Sequence, residues 1–229
     1  MNTAKLPEWR KDQRERLIAA RLAFDAHGLA ALRRSIDQHI ERAFPGLARA
    51  RLGLCWPILN EYDARHLARR LRAQGAVTAL PVVVARGAPL VFRLWRPGIA
   101  LRRGPLGIPY PADSPQVVPQ AVLVPVNGWD PGGYRLGYGG GYFDRTLAAM
   151  APPPLAIGVG YESARIETIH PQSWDVPLDY LVTERGVYRR DGERLEFLGA
   201  PPAGEAGARA SPVCYAAEIA PGYFGDVED

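Results

Sequence analysis

The stretch from Ala121 to Met150 constrains the fold more than any other part of the chain. It opens with a short apolar run, Ala121-Val122-Leu123-Val124, closed by Pro125. Such a run, with no polar alternation, predicts a buried parallel strand. Turn residues fill Asn127 to Gly133. Next comes Arg135-Leu136-Gly137-Tyr138-Gly139-Gly140-Gly141-Tyr142-Phe143-Asp144-Arg145, and Leu147 and Met150 mark a helix from about Phe143. Strand, glycine loop and helix in succession build an anion site, because glycines let backbone N–H groups approach phosphate oxygens. Asp144, at the helix start, stands where a carboxylate can hold hydrated Mg²⁺ beside a polyphosphate.

The loop matches neither common phosphate pattern. No Gly-Lys-Ser/Thr follows it, and Gly137 to Tyr142 lacks the last glycine of the dinucleotide fingerprint, which argues against a nicotinamide-dependent dehydrogenase. An idle glycine turn is the bland alternative. Arg135, Arg145 and Asp144, which bracket the glycines, argue against it.

Before this stretch, Pro7 to Phe24 reads as a helix with Trp9, Leu17, Ile18 and Leu22 as its apolar positions and Pro7 in the first turn. Arg10 and Arg14 share one face, with Lys11 alongside. Leu29 to Phe44 carries a stripe of Leu29, Leu32, Ile36, Ile40 and Phe44 and stops at Pro45-Gly46. Arg51 to Trp56 predicts the first strand, and Tyr62 to Ala73 a helix with Leu67 and Leu71 inward. Glu61 therefore falls at the C-terminal end of a strand, where open α/β sheets place ligands. Thr78 to Val84 predicts a strand in which Pro81 marks a bulge or an end. Leu90 to Trp95 returns as a hairpin-like partner, and Gly104 to Pro111 is a proline-stiffened loop.

After the central stretch, Leu155 to Gly160 predicts another buried strand and Glu162 to Ile169 a short helix. Gly199 to Ser211 reads as an Ala/Pro/Gly linker, followed by an aromatic end with acidic closing residues.

Residues 1–75 hold 15 Lys and Arg against 8 Asp and Glu, although the whole chain is only +4. A basic first third suits an anionic small ligand. Nucleic acid is disfavoured, because these charges ride on helices that also carry a core stripe and no nucleic-acid motif is present. The two cysteines, Cys55 and Cys214, give no disulfide framework, and His27, His39, His66 and His170 show no ligand spacing. With no signal peptide or apolar span visible, a cytoplasmic enzyme with no membrane partner is expected.

The run PVNGWDPGGYRLGYGGGYFDRTL resembles the signature of the 5-formyltetrahydrofolate cyclo-ligase family, with Trp129-Asp130 in place of the usual Phe-Asp. Trp56-Pro57…Glu61 and Asp175…Asp179…Val182-Thr183-Glu184 are similar to further elements of that family, in its order, across roughly residues 8–190. The resemblance implies an α/β fold: three-layer αβα with a mostly parallel central sheet, Rossmann-like. A single domain over 1–195 would carry a tail over 196–229, and the expected working unit is a monomer.

It also implies ATP as co-substrate, bound by Arg10, Lys11, Arg14, Arg135, Leu136, Gly137, Tyr138, Gly139, Gly140, Gly141, Tyr142, Phe143 and Arg145. A folate substrate would lie on Glu61, Trp56 and Tyr142, with Glu61 holding the pterin ring. Mg²⁺ would lie on Asp144 and Asp179. Some family members carry a basic residue at the places of Tyr138 and Gly140, so Arg145 is expected to serve the phosphates instead.

The implied reaction is ATP-dependent cyclisation of 5-formyltetrahydrofolate to 5,10-methenyltetrahydrofolate, releasing ADP and phosphate and using no protein nucleophile. The competing reading is a non-catalytic relative that binds folate or a nucleotide as a sensor or partner module.

Overall fold

The computed structural model describes residues 5–104, 107–200 and 227–228. Helix α1, Leu6–Leu22, has proline in its first turn and buries Leu6, Leu17 and Arg21. Helix α2, Ala26–Ala43, is capped by Asp25, whose side chain accepts from the Gly28 amide at 2.6 Å. Strand β1, Arg51–Gly53, is shorter than the predicted Arg51–Trp56 because its pairing with both neighbours ends at Gly53. Helix α3, Ala64–Ala73, is capped by Asp63 and turns Leu67 and Leu71 inward.

Strand β2, Val77–Val82, pairs antiparallel with β3, Val91–Leu94. Pro81 lies beyond the β1 register, which spans Val77 to Ala79, so no β1 partner needs its missing N–H. Strands β4, Leu101–Arg103, and β5, Pro109–Tyr110, form a small antiparallel pair around the predicted stiff loop.

The predicted buried strand is β6, Ala121–Pro125. A two-stranded ribbon follows, β7, Gly128–Trp129, and β8, Arg135–Leu136. Buried Asp130 ties it down, accepting from the amides of Gly132, Tyr134 and Ile169. Helix α4, Tyr142–Ala149, leads to β9, Leu155–Val159, and β10, Tyr180–Thr183. Strands β11, Gly186–Asp191, and β12, Arg194–Gly199, close the main sheet. They carry it across the expected boundary at residue 195. Gly199, the first residue of the expected linker, ends β12, and the linker from residue 201 on lies outside the described residues; β13, Val227–Glu228, pairs parallel with β4.

The main sheet has the order β12-β11-β10-β9-β6-β1-β2-β3 among the described residues. The inner run from β10 to β2 is parallel, and the flanking strands are antiparallel. Ala121 and Leu123 pack with α2 and α3, while Val122 and Val124 pack on the other face with Leu147 of α4. This is the expected α/β arrangement, with helices on both faces of a mostly parallel sheet.

One local prediction is corrected. Glu162 to Ile169 is not a helix beyond a single 3-10 turn, Glu162–Ala164. Arg165 instead bridges to Trp129, and the Ile166 amide donates to the Trp129 carbonyl, so the segment runs alongside the ribbon.

Candidate functional site

From β1 the chain passes through α3 to β2 on one side. From β6 it passes through α4 to β9 on the other. The direction of winding therefore reverses between β1 and β6, and such a reversal opens a crevice beyond the C-terminal strand ends. A cavity of about 370 Å³ occupies that place, lined by Cys55 and Trp56 after β1, Val82 and Val83 at the end of β2, and Pro125 at the end of β6.

One wall carries Glu61. Leu59 and Asn60 both adopt positive φ, 49° and 60°, in the turn that delivers it. Glu61 is only 8% exposed and lines the cavity. It accepts from the Ile58 amide at 3.1 Å and from the Tyr138 hydroxyl at 2.8 Å. Burial raises its pKa, and those two hydrogen bonds and Arg21 offset part of the rise. Trp56 stands beside it, edge-on to buried Trp95 and under the Arg65 guanidinium. Cys55 shares this wall, and burial followed by the Glu61 charge pushes its thiol well up, so it is a poor nucleophile.

The opposite wall is the glycine loop and the start of α4. Gly141 caps α4 at φ 61°, and no side chain caps the helix, so its first amides stay open to an anion. Gly139, at φ 88°, lies against Arg14: a Cβ there would sit 3.2 Å from Arg14 Nη2. Arg14 lines the cavity, and its buried Nε has no hydrogen-bond partner among the described residues. Burial and then the Arg10 charge lower its pKa.

The floor between the walls is charged. Arg135 donates to the Val176 carbonyl at 2.7 Å and to Asp144 at 2.9 Å, and Asp144 also accepts from the Val176 amide. Arg10 donates to Asp175 at 2.6 Å and to the carbonyls of Ile169 and His170. Both acids line the cavity. Burial lowers the Arg135 pKa, and the charges of Asp144 and Asp175, which line the same cavity, both act against that.

The model of the 5-formyltetrahydrofolate cyclo-ligase family matches residues 7–184. The chain belongs to that family.

A 5-formyltetrahydrofolate cyclo-ligase of Haemophilus influenzae is 29% identical over 191 residues, covering 80% of this chain and all of the relative. One from Escherichia coli K12 is 30% identical over 136 residues, 56% of this chain and 75% of the relative. Among solved structures, the Aquifex aeolicus 5,10-methenyltetrahydrofolate synthetase superposes with TM-score 0.69 at 27% identity, over 82% of this chain and 97% of that one. The Mycoplasma pneumoniae synthetase, at TM-score 0.63 and 22% identity, shares the fold over 76% of this chain and 98% of its own.

Of the residues singled out from the cyclo-ligase resemblance, Arg10, Arg14, Trp56, Glu61, Arg135, Leu136, Gly137, Tyr138, Gly139, Gly140, Gly141, Tyr142, Phe143 and Asp144 line the cavity. Three do not. The Lys11 side chain is 68% exposed and pairs with Glu15 at 3.8 Å, because one step along a helix turns a side chain about 100° away from Arg10. Arg145 lies behind the loop, where its Nη2 grips the Gly140 carbonyl and its guanidinium stacks near the Tyr142 ring.

Asp179 is corrected most clearly. Its Oδ2 accepts from the Ala156 amide at 2.8 Å, at the N-terminal end of β9, whereas the cavity lies beyond the C-terminal strand ends. Asp175, four residues earlier, is the acid that comes to Asp144's cavity. Gln172, Trp174 and Tyr110 also line it without having been singled out. The Asp-x-x-x-Asp spacing was visible in the sequence, but not which acid faces the crevice.

Proposed function

We propose that this protein is a cytoplasmic, ATP-dependent 5-formyltetrahydrofolate cyclo-ligase that makes 5,10-methenyltetrahydrofolate, ADP and phosphate. The observation that carries the reading is a single cavity with a buried carboxylate, Glu61, on one wall and a glycine loop with an open helix N-terminus on the other. A carboxylate suits the paired amino and ring N–H groups of a pterin. Open amides with Arg14 beside them suit a triphosphate.

In this reading Glu61 and Trp56 hold the pterin so that the 5-formyl oxygen meets the γ-phosphorus. That oxygen forms a bond to phosphorus as the bond to the ADP oxygen breaks, giving an imidate phosphate. N10 then attacks the activated carbon and gives up its proton, and the carbon–oxygen bond breaks to release phosphate and close the ring. Transfer of this kind needs alignment and charge neutralisation rather than a protein nucleophile. Arg14 and the Gly139 to Tyr142 backbone supply the neutralisation, and buried Arg135 holds Asp144 in register.

The residues present fit Mg²⁺. Asp144 spends Oδ1 on Arg135 and Val176, which leaves Oδ2 as a ligand atom, and Asp175, whose oxygens accept from Arg10 and the Gln172 amide and keep further lone pairs, is the second acid at the cavity. Two carboxylates completed by phosphate oxygens and water is a set Mg²⁺ accepts. No group of three or more His, Cys, Asp or Glu suited to a metal occurs among the described residues, so an all-protein cage is not the form proposed. Bound there, Mg²⁺ would neutralise phosphate charge.

Mixing the protein with Mg-ATP and 5-formyltetrahydrofolate is expected to raise absorbance at the methenyl band. Ligand binding without that rise would overturn the catalytic reading in favour of a non-catalytic folate or nucleotide binder.

A further inference from the structure

Tyr138 belongs to the glycine loop by sequence but to the Glu61 wall by hydrogen bonding. Its hydroxyl donates to Glu61 Oε1 at 2.8 Å and accepts from Arg21 Nη2 at 3.2 Å. Arg21 in turn is fixed by the Leu59 carbonyl at 2.7 Å and by Asn127 at 2.9 Å. Glu61 is thus nearly buried, with Oε2 taken by the Ile58 amide and Oε1 by a phenol. The phenol is the movable member of the set. Tyr138 is 45% exposed, lines the cavity, and is followed by Gly139 at φ 88°. The amide and Arg21 are held by the surrounding fold.

We propose that Tyr138 is a placeholder: it occupies the Glu61 oxygen that the folate's N–H edge takes on binding, so folate binding releases the glycine loop and couples the two substrates. The inference rests on the cyclo-ligase reading. Each Glu61 oxygen keeps a second lone pair, but Tyr138 lines the cavity from which a ligand enters, so a ligand that presents paired donors to Glu61 competes with the phenol for Oε1. Tyr138 lies only one residue before Gly139, so its departure moves the backbone that faces the phosphates. The released loop can then close on the triphosphate, and by linkage nucleotide binding favours folate by the same factor. Burial and the Glu61 charge push the phenol's pKa above its usual range, so it remains a donor at neutral pH.

The sign of one affinity change separates this from a supporting role. If Tyr138 steadies Glu61 for folate, its loss weakens folate binding. If it competes for Glu61, its loss strengthens binding. The test is calorimetry of 5-formyltetrahydrofolate with wild type and Tyr138→Phe, without nucleotide. The expected result is a Kd lower by roughly ten-fold in the variant, the scale of one hydrogen bond to a carboxylate.

A second measurement is the Kd of a non-hydrolysable ATP analogue with and without saturating folate. Folate should tighten it in wild type by a factor that shrinks toward one in Tyr138→Phe. A folate Kd that is unchanged or raised in the variant, or an undiminished coupling factor, overturns the placeholder alone. A wild-type protein that binds no folate overturns the cyclo-ligase reading and the placeholder with it.

Discussion

The Arg135 guanidinium donates to Asp144 at 2.9 Å, and the charge of Asp175 acts on the same buried group. Two acids and one arginine therefore share a corner of the cavity, and Asp179 is not among them. Asp175→Asn is expected to raise the Mg²⁺ concentration needed for half-maximal turnover by about ten-fold or more. Asp179→Asn should leave that requirement unchanged. A metal titration of the methenyl-forming rate reads both, and the opposite ranking would return the metal to Asp179.

Three of the five cations expected at the phosphates, Arg14, Arg145 and Lys11, separate by position. Arg14→Ala is expected to raise the KM for ATP by about ten-fold, the loss of one charge-assisted contact. Arg145→Ala should raise it too, through a loop no longer held at the Gly140 carbonyl. Lys11→Ala should change it by less than about two-fold, since exposed pairs such as Lys11 and Glu15 carry little. Steady-state kinetics at saturating folate ranks them. A wild-type KM in Arg14→Ala would remove that residue from the phosphate side.

Much of the site was legible because it is local. The run from Ala121 to Arg145 contains its own strand, loop and helix start, and the glycines together with the charges that bracket them point to a backbone cradle. Glu61 was also readable, because a strand followed by a helix fixes which end of the sheet it meets. What stayed hidden depends on distant partners. Arg10 and Lys11 are neighbours of one charge, and only the packing of α1 against residues 169–175 decides which one faces inward. Asp175 and Asp179 are the same residue type four apart, and the β9 amide that claims Asp179 cannot be read from either. The hairpin β11–β12 had no strong apolar alternation, since β12 is largely exposed, so its pairing and not its pattern defines it.

Two glycines of the loop should respond differently to alanine. Gly139 combines φ 88° with a close approach to Arg14, so Gly139→Ala is expected to cost about 1–2 kcal/mol and to weaken ATP binding. Gly137 has open space around a built Cβ and no positive φ, so Gly137→Ala should be nearly neutral. Urea unfolding with and without an ATP analogue distinguishes them. Equal losses would show that the strain is not at Gly139.

Acid should weaken the fold in part through His66. Burial, and next the Arg33 charge, lower its pKa from 6.5 to about 4. Between those values the unfolded chain binds a proton that the folded chain refuses, so stability rises with pH across this window and is lost on acidification. Glu61 and Asp37 act with the opposite sign. Burial raises both, so the folded chain keeps their protons longer and their contribution falls as pH rises past the ordinary carboxylate range. His66→Gln is expected to flatten the acid side of a plot of Tm against pH. An unaltered slope would assign the acid sensitivity to other groups.

The ion pair between Arg10 and Asp175 joins the beginning of the chain to a segment 165 residues later. During synthesis the opening helix therefore leaves the ribosome long before its anchor does. A nascent chain halted at residue 160 already contains Glu61, the glycine loop and Asp144, yet nothing clamps Arg10. The crevice is completed late, and a truncated product, however well its first strands pair, has no closed chamber in which to spend ATP.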